Sequence, residues 1–322
     1  MGRAKREREK RGFRKRSVRG DFAGRGAGKI IESSYNVCTE SHTLAVMRTS
    51  IRAIMMILIV ALVSDVAGAY QRSNRSRKVR ELISAAAAGD TNKVVQILNS
   101  GVNVNATFAR DDSELSGKTA LMAAASRGRA NLVSTLIKRG ATVDLKHYSG
   151  ETALMFAADS GDKSTIEALL RAGANVNATV VSPHAGELTP LTITINTNHP
   201  HRFEIAKLLL AAKAEVNPKG RFIISPLMHA LEDLEMVQLL IAHGADVNQK
   251  NFRGATALMG AAVGRDPAVV RFLIEKGADV KARDKDGYTA LMGAESQPKM
   301  FYADEVNEII RVLKRAEAGV KP

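Results

Sequence analysis

One four-residue word, TALM, occurs four times in this chain, at Thr119, Thr152, Thr256 and Thr289, with the variants TPLT at Thr189 and SPLM at Ser225. Aligned on the leucine of each word, the segments place Leu82, Leu121, Leu154, Leu191, Leu227, Leu258 and Leu291 at steps of 39, 33, 37, 36, 31 and 33 residues. A catalytic motif is needed once. A word that returns about every 33 residues marks a stacked array, because a single small unit cannot bury its apolar face without a neighbour.

Each unit reads as helix, turn, helix and outward finger. Thr119, Thr152, Thr256 and Thr289 suit helix N-caps, where a hydroxyl accepts from the first free amides. Pro190 and Pro226 stand at first helical positions, where a missing N–H costs nothing. The pairs Ala124 and Ala125, Ala157 and Ala158, and Ala261 and Ala262 keep the first helix slim. Gly128, Gly161 and Gly264 are expected to break it. The second helix carries pairs such as Leu136 and Ile137 or Leu169 and Leu170, and should stop at left-handed glycines, namely Gly101, Gly140, Gly173, Gly244 and Gly277. Extended segments such as Ala174–Asn177 and Ala245–Asn248 then lead to turns at Gly117, Gly150, Gly254 and Gly287.

This unit resembles the ankyrin repeat, whose T-P-L-H-x-A signature stands here as T-A-L-M-x-A, over roughly residues 79–316. The resemblance implies an all-α solenoid of about seven helix–turn–helix units with finger loops. It also implies protein binding through finger tips and a concave face. The family's histidine is replaced by Met122, Met155, Met228, Met259 and Met292, and by Thr192 in the fourth unit; the methionines are expected to fill core. The fourth and fifth units are irregular, with Lys213 in a glycine position, Ile193, Thr194 and Ile195 where the alanines belong, and long connectors at 179–187 and 218–224. The connectors suit a protruding recognition element or simple degeneration of the repeat.

The segment before the array is of another kind. Of the net charge of +14, residues 1–46 hold 12 Lys/Arg against 5 Asp/Glu. Residues 53–63, AIMMILIVALV, form an apolar run preceded by Arg48 and Arg52 and followed by Ala67, Gly68 and Ala69. That order matches a secretory signal, and the run is shorter than the roughly 20 residues of a bilayer span. Three regions are therefore expected: a basic extension over 1–46, a signal peptide over 47–69 with translation starting at Met47, and the repeats over 70–322. Export to the periplasm or outside the cell, with cleavage after Ala69, is the first expectation. The second is a membrane anchor through residues 53–69, the only membrane contact expected. The sequence GRGAGKI at Gly24–Ile30 lacks the first glycine and the Ser/Thr of a phosphate loop.

Function should lie on the fingers. Five of the 11 aromatics after residue 69, Phe108, Tyr148, Phe222, Phe252 and Tyr288, stand in what reads as one repeated finger position beside basic residues including Arg253. Phe156 extends the same surface. Solvent-facing aromatics beside arginine have the composition of interface hot spots; the alternative is that each ring only covers the neighbouring finger's backbone. These six residues, Phe108, Tyr148, Phe222, Phe252, Arg253 and Tyr288, are the expected partner-binding set, and the expected partner is a protein. An effector acting on a host protein is the second form of that reading. Enzymatic activity is not expected: GxSxG, a glycine-rich cofactor loop and a Cys–His pair are absent, and the one cysteine, Cys38, precedes the repeats. A metal-dependent hydrolase would have to draw on His184, Glu187, His199 and His201, whose spacing matches no zinc motif. No cofactor or metal is expected, and no nucleic acid, since the charge within the repeats is dispersed.

Overall fold

The computed structural model describes residues 29–107, 114–182, 186–220, 224–264, 266–297 and 303–320, with side chains from Ile54 onward. Of the expected basic extension over 1–46, residues 1–28 lie outside them, and residues 29–46 are helical. The chain divides into two compact units, Met1–Tyr70 and Gln71–Pro322, and helix α1 (Lys29–Ala88) crosses that division.

In the first unit the apolar run is helical, and Ile54–Val60, Leu62, Val63 and Val66 all expose their side chains. From Ile54 the helix is long and apolar enough to cross a membrane, with a mean hydropathy of 1.9 over its apolar window. A signal sequence and a membrane anchor both meet that description. Asp65 and Arg72 are the charges nearest the run's C-terminal end, and helix continues through both.

In the second unit the end of α1 supplies the first helix of the first repeat, burying Val79, Leu82, Ile83, Ala85 and Ala86. Helix α2 (Thr91–Asn99) pairs with it. Four helix pairs follow the TALM words or their variants: α3 (Ala120–Ala125) with α4 (Ala130–Lys138), α5 (Ala153–Ser160) with α6 (Lys163–Arg171), α7 (Pro190–Asn196) with α8 (Arg202–Ala211), and α9 (Pro226–His229) with α10 (Leu234–Ala242). Two more complete the array: α11 (Ala257–Val263) with α12 (Pro267–Glu275), and α13 (Ala290–Glu295) with α14 (Ala303–Glu317). First helices pack on first helices from α3 through α13, and second helices pack α4 on α6 on α8 and α10 on α12 on α14. The all-α repeat class holds, with one addition: the 179–187 connector contains a hairpin, β1 (Val180–Ser182) antiparallel to β2 (Gly186–Leu188).

The core follows from the slim first helices. Every residue of α3 is buried, as are Leu154, Met155, Ala157 and Ala158 of α5. Thr119, Thr152 and Thr289 accept from the amides of Met122, Met155 and Met292 at 3.2, 3.4 and 3.3 Å. Thr256 departs from this expectation, since its buried hydroxyl has no partner. Thr192 replaces the methionine by returning a hydroxyl to the Thr189 amide at 2.7 Å, completing a reciprocal box. Met122 and Met155 fill core as expected, but Met292 in the last first helix is exposed, because no further unit covers it.

All five expected C-terminal glycines adopt positive φ, between 82° and 88° for four and 90° at Gly277. Gly264 does not, with a φ of −78°, so its break uses ordinary helical geometry. Lys213 takes the glycine conformation at φ 71° as the non-glycine exception among the described residues. The asparagines that end four of the outward segments, Asn105, Asn177, Asn217 and Asn248, then tie the units together. Asn217 Nδ2 donates to Gly244 at 2.7 Å and Asn248 Nδ2 to Gly277 at 3.0 Å, while their oxygens accept from Asp246 and Asp279 at 2.8 Å each. The last helix carries Asp304 and Glu305 in its first turn and Lys314 and Arg315 in its last, which suits the helix dipole.

Candidate functional site

Three finger turns share one geometry. The amide of the first residue (His147, Asn251 or Asp284) donates to the carbonyl four residues on, at Glu151, Ala255 or Tyr288. The glycine amide closes the turn onto the first residue's carbonyl. This register corrects the expectation of a single aromatic position. Tyr148 and Phe252 stand one residue after the start of the turn, whereas Tyr288 stands after the glycine, in the place of Glu151 and Ala255. Sequence spacing alone hid the difference because both positions lie within two residues of the same glycine.

The expected residues fall into two groups. Phe252, Arg253 and Tyr288 belong to consecutive fingers joined by the Lys285 amide donating to the Arg253 carbonyl at 3.0 Å. Phe252 is 40% exposed and Tyr288 57%, and the Arg253 guanidinium lies 5.6 Å from the Phe252 ring centroid. Tyr148 stands three units earlier and is 56% exposed. It also does what the alternative reading required: its ring lies over Gly117 of the preceding finger, where any β-carbon would collide with it. Covering a backbone and facing solvent are thus both properties of one ring. Phe108 and Phe222 lie outside the described residues.

Tyr148 is anchored by His147, whose ring centroid is 3.9 Å away. His147 Nε2 donates to the Ser116 carbonyl of the preceding finger at 2.9 Å, and its Nδ1 contacts Ser149 and Glu151. That first contact requires a proton on Nε2, so in the neutral ring Nδ1 is the acceptor for the Ser149 hydroxyl or amide. His147 also meets Phe156 edge-on at 5.8 Å, and the Lys118 ammonium sits 4.6 Å over the same Phe156 ring. Burial pushes the Lys118 pKa down. The histidine, serine and glutamate lie close together, and their contacts lock the turn against the preceding finger.

Beside this turn lies a groove of about 480 Å³. Its floor and walls come from the turn (Ser149, Glu151), α5 (Met155, Phe156, Asp159), the hairpin (Val181, Leu188) and α7 (Ile193, Asn196). Val180 of the hairpin packs over Gly150 of the turn, 3.2 Å from where a β-carbon would stand. Sequence reading places Phe156 with the finger aromatics and leaves the connector as either a recognition element or a degenerate stretch of the repeat. It missed Glu151 and Asp159, although Glu151 follows the finger glycine and Asp159 lies eight residues further on, one face along α5. A metal-dependent hydrolase would have to draw on His184, Glu187, His199 and His201. His199 Nε2 bonds the Asp159 carbonyl at 2.9 Å with its ring over Gly161, and His184 is outside the described residues. No group of three potential ligands is present among the described residues.

Stacked helix pairs with joined fingers and an open side groove define a helical-repeat interaction protein. Residues 82–180 and 232–313 match the family model described as ankyrin repeats (3 copies). The chain belongs to the ankyrin-repeat family, whose repeats serve as protein–protein interaction modules. The stretch between the two matches holds the irregular fourth unit and the first helix of the fifth. A curated relative, the B-cell lymphoma 3 protein homolog of Mus musculus, is 41% identical over 81 residues, which cover 23% of this chain and 17% of that protein. The chain thus matches less than a fifth of that relative's length. Among solved structures, the human ASB11 ankyrin repeat domain aligns with a TM-score of 0.58 at 24% identity, covering 71% of this chain and 96% of that one. The ankyrin repeat domain of Bcl-3, a member of the IkappaB protein family, aligns with a TM-score of 0.56 at 25% identity, covering 73% and 97%.

Proposed function

We propose that this protein is a non-catalytic scaffold that binds a protein partner through its finger turns and the adjoining groove. The observation that carries the reading is the exposure of Tyr148, Phe252 and Tyr288 on turns closed by paired backbone hydrogen bonds. Aromatic side chains on rigid supports bury large areas at little ordering cost, which is the economy of a preformed interface. The partner is expected where the leader delivers the repeats. Arg48 and Arg52 before the apolar helix and the small residues Ala67 and Ala69 after it support export with cleavage after Ala69. Retention of the helix as an anchor is the second reading, supported by its length and hydropathy. An exported repeat array acting on a host protein differs from one acting in the periplasm only in destination.

The test is crosslinking capture from the compartment where the protein accumulates, with N-terminal sequencing of the recovered chain. A mature terminus at Tyr70 supports cleavage, and an intact leader supports the anchor. Replacing Tyr148, Phe252 and Tyr288 together with alanine should abolish capture while leaving the helical circular-dichroism signal in place. Capture that survives all three changes refutes the finger surface.

A further inference from the structure

The groove beside the hairpin has a charge opposite to that of the chain. Lys and Arg outnumber Asp and Glu by 47 to 33 overall, yet the residues lining the groove include Glu151 and Asp159 and no lysine, arginine or histidine. Asp159 is exposed; its backbone carbonyl serves His199, while its carboxylate enters no ion pair among the described residues. Glu151 accepts from the Ser149 hydroxyl, which fixes its position without neutralising it. Across the hairpin Val181 pairs with Glu187, so a third carboxylate shares the hairpin face of Val181. Lys118 is the cation at hand, but it is 7% exposed, engaged with the Phe156 ring and absent from the lining.

The rest of the lining is apolar: Met155, Phe156, Val181, Leu188 and Ile193. Val181 is 63% exposed, an aliphatic side chain presented to solvent beside fixed carboxylates. A cation entering such a groove gains from water exclusion by its walls, because the attraction strengthens as the local dielectric falls. Aliphatic neighbours on the same occupant would cover Val181, Leu188 and Ile193 at the same time. Among the described residues the sheet holds β1 and β2 alone, and a strand edge is matched by an extended backbone rather than a helix.

We infer that the groove receives an extended segment of a protein partner bearing an arginine or lysine between aliphatic side chains, with Glu151 and Asp159 as its counter-charges. This rests on the scaffold reading above and gives one part of that surface its chemistry.

The full-length protein should be titrated into a fluorescein-labelled nine-residue peptide alternating leucine with arginine, followed by fluorescence anisotropy. A peptide of equal length alternating leucine with glutamate is the control. The arginine peptide should bind at least tenfold more tightly than the glutamate peptide, with affinity falling as salt rises. The double variant Glu151→Gln, Asp159→Asn should lose at least tenfold for the arginine peptide. Val181→Arg, which places a cation in the wall at an exposed position, should lose as much. Glu235→Gln, which removes an exposed carboxylate from α10 away from the groove and the fingers, should bind the peptide like the wild type. Equal affinity for the two peptides, absence of arginine-peptide binding, or unchanged binding by both groove variants overturns the inference. Partner capture separates this outcome from failure of the scaffold reading: capture retained by the groove double variant and lost by the triple finger variant removes the groove assignment alone.

Discussion

The side-chain amide of Asn177 donates to the backbone carbonyl of Lys213 at 3.2 Å, and its oxygen accepts from the Glu215 amide at 2.9 Å. One side chain in the third unit thus satisfies both sides of the helix end in the fourth. Lys213 needs this support more than its equivalents do, because it holds a left-handed backbone at φ 71° without being glycine. A side chain in that region costs on the order of 1 kcal/mol relative to glycine. Lys213→Gly should therefore raise the stability of the array by about 1 kcal/mol. Asn177→Ala should lower it by about 1–2 kcal/mol through two lost hydrogen bonds. Urea unfolding followed by circular dichroism measures both.

Asp144 occupies the position that Asn105, Asn177, Asn217 and Asn248 hold in other units. Its Oδ1 accepts from the Asn175 amide at 2.9 Å. A carboxylate has no hydrogen to offer the helix-ending carbonyl, so half of the bridge is missing there. Asp144→Asn should restore it and stabilise the protein by about 0.5–1.5 kcal/mol. A melting temperature equal to or below that of the wild type would refute this account of the ladder.

Thr119 and Thr256 start equivalent helices and are both buried, but only Thr119 caps. Removal of a working cap hydroxyl costs about 1 kcal/mol. Removal of a buried hydroxyl that has no partner relieves a desolvation penalty instead. Thr119→Val should destabilise by about 1 kcal/mol, and Thr256→Val should be neutral or stabilising. Chemical denaturation of the pair decides it by the sign of the difference.

His229 ends the four-residue helix α9, and its Nε2 is buried without a partner. Burial holds its pKa below the ordinary value of 6.5. The folded chain therefore binds fewer protons here than the unfolded one, so stability rises with pH and declines as pH falls below about 6.5. The slope from this one group cannot exceed about 1.4 kcal/mol per pH unit. Unfolding measured between pH 7.5 and 5.5 should show the decline in the wild type and a shallower one in His229→Gln. Equal slopes would remove His229 as the cause.

The array itself was legible in the sequence, because its signals are local. A TALM word starts each slim helix, a glycine ends the second, and the period near 33 residues leaves the leucines no burial except against neighbouring units. Positive φ at Gly101, Gly140, Gly173, Gly244 and Gly277, and at Lys213 in the same place, needed only the pattern. The groove and the ladder between units were not legible. Asn177 reads as a polar residue in an extended segment until the carbonyl of Lys213, 36 residues away, is brought within reach. Glu151 and Asp159 read as separate surface acids until the finger and α5 set them along one groove wall, and only the antiparallel register places Glu187 beside Val181. Local sequence decides the conformation of each unit because its backbone hydrogen bonds and caps close within a few residues. Which side chains meet across units depends on the stacking geometry, and that is a property of the folded array.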